Sequence, residues 1–198
     1  MKKRIRIGCD RYSLVMLAAM WLQGHTAQTV SLLVAAALHE CGHLLAARVF
    51  GIPLASLHIS VLGARLELCD PLLSYRREWL LCAAGPLFSF LCAGIAAGLS
   101  AYVISSEILC MFAMISMALG VINLLPIGWL DGGRMFRAMC LQFLPQRVAG
   151  GLLRLVSFAF FLVLWMASLY LLLRVGNSLT LFVFSFSLFL RFFLSERG

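Results

Sequence analysis

Residues 32–47 read Leu-Leu-Val-Ala-Ala-Ala-Leu-His-Glu-Cys-Gly-His-Leu-Leu-Ala-Ala. Apolar residues flank His39-Glu40-Cys41-Gly42-His43 on both sides, which places the motif inside a helix. His39 and His43 then lie at i and i+4, one above the other on a single face. Two imidazoles so arranged can share one zinc ion, with Glu40 beside them as a base. With 4 His and 5 Glu among 198 residues, chance produces this pattern about 0.002 times per such chain. The competing reading is two buried histidines and a glutamate bonded to neighbouring helices. That reading must explain ionisable groups in an apolar span, where a charge costs about 2.5–3.5 kcal/mol at the bilayer centre and is functional by default.

The surroundings of the motif define the solvent. The chain is 63% hydrophobic and 12% charged, with a mean hydropathy of +0.99. Ordinary soluble domains carry roughly 45–50% apolar and about 25% charged residues. Disorder and a water-soluble enzyme are excluded on this ground. No Asp, Glu, Lys or Arg occurs at 79–106, 108–130, 155–173 or 175–190, and between Arg11 and Arg48 the only charge is Glu40. A helical span needs about 20 apolar residues. Six spans are expected, near 12–25, 29–50, 79–103, 107–125, 152–173 and 177–194, forming a single integral membrane domain over 1–198. The first is short, and a cleaved leader competes for it, although no clear cleavage site precedes the next span.

The net charge of +8 would suggest nucleic acid in a soluble protein. Here the basic residues cluster in the segments between spans. Lys2, Lys3, Arg4, Arg6 and Arg11, then Arg48, Arg65, Arg76 and Arg77, then Arg134, Arg137 and Arg147, and finally Arg197 fall on one side. The opposite side receives His25, the stretch Ser105-Ser106-Glu107, and Arg174. The positive-inside rule puts both termini and the motif's end of its helix toward the cytoplasm. The expected partner of this charge is the lipid bilayer and not nucleic acid. The seven cysteines form no CxxC pair and sit mainly in apolar stretches, as small buried hydrophobes do.

Between the second and third spans, Gly51 and Pro53 stop the helix. Leu57, Ile59 and Val61 then alternate with His58 and Ser60, and Leu66 and Leu68 with Arg65 and Glu67. A short membrane-associated β-hairpin is expected, packed on protein or lining a wet cavity.

A catalytic zinc takes three protein ligands. His58 and Asp70 read more easily as a strand residue and a turn residue. Asp131 is the better third ligand. It follows Asn123-Leu124-Leu125-Pro126-Ile127-Gly128-Trp129-Leu130, where Pro126 and Gly128 break the helix. Gly132 and Gly133 are expected to turn the chain tightly behind it. An aspartate paired with Arg134 or Arg137 is the alternative. Tyr75, Trp79 and Trp129 read as interface anchors.

HExxH in one span, Asn-x-x-Pro-x-x-x-x-Asp-Gly at 123–132, and Ala84-Gly85-Pro86 heading the span between them resemble the site-2 protease family of intramembrane zinc metalloproteases, peptidase family M50. The layout is most similar to its stage IV sporulation protein FB-like members. The likeness covers about 29–135, leaving 12–25, 152–173 and 177–194 as accessory spans. It implies an all-α polytopic fold with a three-helix catalytic core in a bacterial cell membrane. Zn2+ would be held by His39, His43 and Asp131, with Glu40 as catalytic base. Asn123 would help hold substrate, and an edge strand of the 52–68 hairpin would pair with an unwound substrate. The implied reaction is hydrolysis of a peptide bond in or near the transmembrane segment of a membrane protein or membrane-associated peptide, in regulated intramembrane proteolysis. A regulatory membrane partner fits the same picture. No insertion is large enough for a PDZ domain and no nucleotide-sensing CBS domain follows, so nucleotide control is not an expectation. The rival functions are a non-catalytic client-binding scaffold and a metal-ion transporter. Glu40 beside the ligands and the lack of symmetric broken helices weigh against the transporter.

Overall fold

The structure is a computed structural model that describes residues 7–9, 26–52, 54–60, 63–68 and 74–175. The expected spans near 12–25 and 177–194, and Asp70, lie outside the described residues. The element order is β1 (Ile7–Cys9), α1 (Thr26–Val49), β2 (Leu54–Ser60), β3 (Gly63–Leu68), α2 (Tyr75–Tyr102), α3 (Glu107–Asn123), α4 (Asp131–Cys140) and α5 (Gln146–Val175). Three helices, at Thr26–Val49, Tyr75–Tyr102 and Gln146–Tyr170, are long and apolar enough to cross a membrane, and Glu107–Asn123 is a shorter apolar helix.

α1 carries its small and polar residues on one side, where Thr29, Ser31, Ala35, His39, Gly42, His43 and Ala47 are buried. α2 answers with Ala83, Gly85, Pro86, Ser89, Ala93 and Ala96. Small facing residues let membrane helices approach closely, and in hydrocarbon it is packing that holds helices together. The large apolar side chains point outward instead: Leu87, Leu91 and Ile95 of α2 are all more than half exposed. Such a surface suits lipid and not water.

Helix ends follow local chemistry. Gly51 takes φ 64°, while Ile52 N–H donates to Ala47 O at 2.9 Å and Gly51 N–H to Arg48 O at 3.2 Å. This is the Schellman closure of a helix C-terminus. Ile52 then packs on Ala47 and Leu81, fixing the end of α1 that carries His43 against α2. Ser106 caps α3 through Leu109 N–H at 3.5 Å, and Glu107 sits in its first turn, where the helix dipole favours negative charge.

The stretch expected to form a hairpin holds two antiparallel strands, with Leu57 opposite Leu66 and Ser60 opposite Gly63. β1 pairs parallel to the other side of β2, giving the sheet order β1-β2-β3.

The segment between the spans expected near 107–125 and 152–173 is largely helical, because α4 occupies 131–140 and α5 begins at Gln146. The tight turn expected at Gly132 and Gly133 is corrected: they lie in the first turn of α4, and a Cβ on them would strike the carbonyls of Leu124 and Ile127.

Candidate metal centre

His39 and His43 project from the C-terminal half of α1, and Asp131 opens α4. All three are at least nine-tenths buried. His39 Nε2 and His43 Nε2 each stand 3.0 Å from Asp131 Oδ2 and 3.3 Å from one another. The sequence separations are 92 and 88 residues to the aspartate, so tertiary structure alone assembles the cluster. Among the described residues this is the group of His, Cys, Asp and Glu side chains placed to hold a metal ion.

Asp131 is held by its surroundings on every side. The irregular segment 124–130 carries backbone groups that no helix satisfies. Ser157 of α5 clasps it, accepting from Gly128 N–H at 3.2 Å and donating to Pro126 O at 3.3 Å. Irregular backbone at membrane depth requires such internal partners. Trp129 stacks on Phe161 with ring centroids 5.2 Å apart, beside buried Ile127 and Leu130. Trp129 is half-buried and packs on α5. At the N-terminus of α4 the helix dipole favours a carboxylate. The close contacts of Asp131 are with the two histidines, each at 3.0 Å, whereas Arg134 faces Glu78 at 3.9 Å. The alternative of an aspartate paired with Arg134 does not hold.

The imidazoles are fixed from behind by α2. His43 Nδ1 lies 2.8 Å from Leu81 O, a carbonyl that can only accept, so Nδ1 carries the proton and Nε2 presents a lone pair. His39 Nδ1 lies 2.9 Å from Ser89 Oγ. Between these two contacts, Gly85 faces the rings. A Cβ at this position would stand 2.7 Å from His39 Nε2 and nearer still to His43 Nε2.

This donor set fits zinc. Tetrahedral ligands at 2.0–2.1 Å from a zinc ion lie about 3.3–3.4 Å apart, close to the observed 3.0–3.3 Å. With the proton on Nδ1, the Nε2 lone pair of a neutral His43 would face the same point as the Asp131 carboxylate, as two ligands of one cation do. His, His and carboxylate are also a ligand set that leaves a fourth position open, as catalytic zinc sites do.

Glu40 is half-buried on α1, one residue from His39. Asn123 is buried, but its Nδ2 donates to Leu119 O of its own helix at 3.0 Å, and no described hydrogen bond joins it to the cluster. Cys41 is exposed and takes no part. Sequence reasoning missed Leu81, Ser89 and Ser157. The spacing 81, 85, 89 along one face of a helix was the available signal, together with a serine inside an uncharged span.

The site-2 protease from Methanocaldococcus jannaschii superposes with a TM-score of 0.71 at 21% identity, over 94% of this chain and 88% of that one. The chain therefore has the site-2 protease fold. Residues 100–164 match the model of Peptidase family M50, a stretch that includes Asn123 and Asp131 but not the two histidines. No curated protein matches the sequence.

Proposed function

We propose that this chain is an intramembrane zinc metalloprotease that cleaves membrane-associated substrates in or near a transmembrane segment. The observation carrying this reading is the convergence of His39, His43 and Asp131 within 3.0–3.3 Å at the end of an apolar helix pair, with Glu40 next to the first ligand. The site-2 protease fold and the match to Peptidase family M50 support the same reading.

His39, His43 and Asp131 would hold the ion, which when bound supplies Lewis acidity toward the scissile carbonyl and the attacking water. Glu40 takes the proton from that water and returns it to the departing amine. Leu81 and Ser89 keep the imidazoles aimed. A helical substrate has its amides satisfied internally, so it must unwind before its carbonyl can be reached. An edge strand of the β1-β2-β3 sheet would hold it extended by main-chain pairing, and Asn123, the last residue of α3, would help hold substrate. The cytoplasmic placement of site and termini rests on the distribution of basic residues.

The test is a comparison of membrane and released fragments in cells carrying wild type or Glu40→Gln. Fragments that depend on Glu40 identify substrates. Identical fragment sets would remove the proteolytic reading and leave a client-binding scaffold.

A further inference from the structure

We propose that Ser89 is a positioning residue that selects which nitrogen of His39 faces the metal. The inference rests on reading the His-His-Asp cluster as a zinc site, and it concerns a group that touches neither metal nor substrate.

The two histidines are fixed by unequal partners. Behind His43 stands the backbone carbonyl of Leu81 at 2.8 Å. A carbonyl only accepts, so this contact permits one tautomer, with the proton on Nδ1 and a lone pair at Nε2. Behind His39 stands the hydroxyl of Ser89 at 2.9 Å. A hydroxyl can donate or accept, so His39 alone of the pair has two tautomers open to it. If Ser89 donates, the His39 proton moves to Nε2 and points at Asp131 Oδ2, closing the site to a cation. If Ser89 accepts, Nδ1 keeps the proton and Nε2 turns a lone pair toward the metal position.

The accepting arrangement is the one compatible with a bound cation, because it leaves the lone pair of His39 on Nε2. Ser89 is 1% exposed, which removes water as a substitute partner. The placement is also geometrically economical. His39 and His43 are one turn apart on α1, and Leu81, Gly85 and Ser89 are one turn apart on α2. The first and last of these back the two imidazoles, and the middle one leaves room for both rings. A single rigid helix therefore sets the orientation of both nitrogen ligands. Groups that hydrogen-bond the far nitrogen of a ligating histidine change metal affinity by about 10–100-fold when removed.

The test uses the full chain purified in detergent, with zinc affinity measured by chelator competition and the site monitored by cobalt(II) absorption. Ser89→Ala is expected to lose about 10–100-fold in zinc affinity and to shift the cobalt bands. Ser89→Thr keeps the hydroxyl and is expected to stay within about threefold of wild type. Ser116→Ala, which removes another buried hydroxyl from α3, is expected to change neither readout. Wild-type affinity and an unaltered cobalt spectrum in Ser89→Ala would overturn the proposal. Equal losses in Ser89→Ala and Ser89→Thr, or in Ser89→Ala and Ser116→Ala, would overturn it as well. Failure of wild type to hold zinc at one per chain would fell the metal reading itself, whereas tight zinc binding that ignores Ser89 fells this inference alone.

Discussion

Gly85→Ala adds one methyl group to the helix face on which both imidazoles rest. The new Cβ would stand 2.6 Å from His43 Cε1 and 2.7 Å from His39 Nε2, where carbon contacts need about 3.5 Å or more. At least one ring must therefore retreat by nearly 1 Å. Neither ring is free to do so at no cost, because His43 is bonded to Leu81 O at 2.8 Å and His39 to Ser89 Oγ at 2.9 Å. A metal site tolerates about 0.2 Å of error in ligand distance, so the displacement exceeds the tolerance several times over. Overpacking of this kind costs about 1–3 kcal/mol, roughly 5- to 150-fold, and loss of one ligand costs more. Zinc affinity is expected to fall by at least about 100-fold while the helices remain folded. Chelator competition on purified protein, with circular dichroism as the check on folding, measures both. A folded Gly85→Ala protein that binds zinc like wild type would refute the placement of Gly85 against the rings.

Asp131→Asn retains the shape of the side chain but removes the charge opposite both histidines. Zinc is expected to be lost on dialysis, as seen by elemental analysis, and retention at one ion per chain would count against ligation by Asp131. Ser157→Ala leaves Pro126 O and Gly128 N–H without their partner, which costs about 1–3 kcal/mol for buried groups; thermal melts in detergent should show a lower midpoint, and an unchanged midpoint argues against the clasp. Stripping zinc should lower the melting temperature, since a ligand at 100 times its Kd contributes about 2.7 kcal/mol, and zinc restoration should reverse the change.

The candidate site residues were legible because an apolar background makes each polar residue conspicuous. Glu40 is the only charge between Arg11 and Arg48, and Asp131 ends a charge-free run. The Arg134 alternative could be settled only by seeing Arg134 turn to Glu78. α4 was not legible, since a segment opening Asp-Gly-Gly has poor helix propensity. Its first turn forms because glycine permits close packing on the carbonyls of Leu124 and Ile127, a tertiary contact that local composition does not encode. The stacking of Trp129 on Phe161 was hidden for a similar reason, since the partner lies 32 positions away. The backing of the histidines by α2 was hidden because one of its two acceptors is a backbone carbonyl, which leaves no trace in residue identity.

Cleavage by purified protein in proteoliposomes tests the central claim most directly. Wild type and Glu40→Gln, each carrying one zinc per chain, would be reconstituted with a single-span substrate drawn from the cellular fragment comparison. Mass spectrometry should find cleavage in or beside the span with wild type, a rate about 10²–10⁴-fold lower with Glu40→Gln, and none after zinc is removed. Equal cleavage by both proteins, or cleavage that survives zinc removal, would contradict a zinc protease built on His39, Glu40, His43 and Asp131.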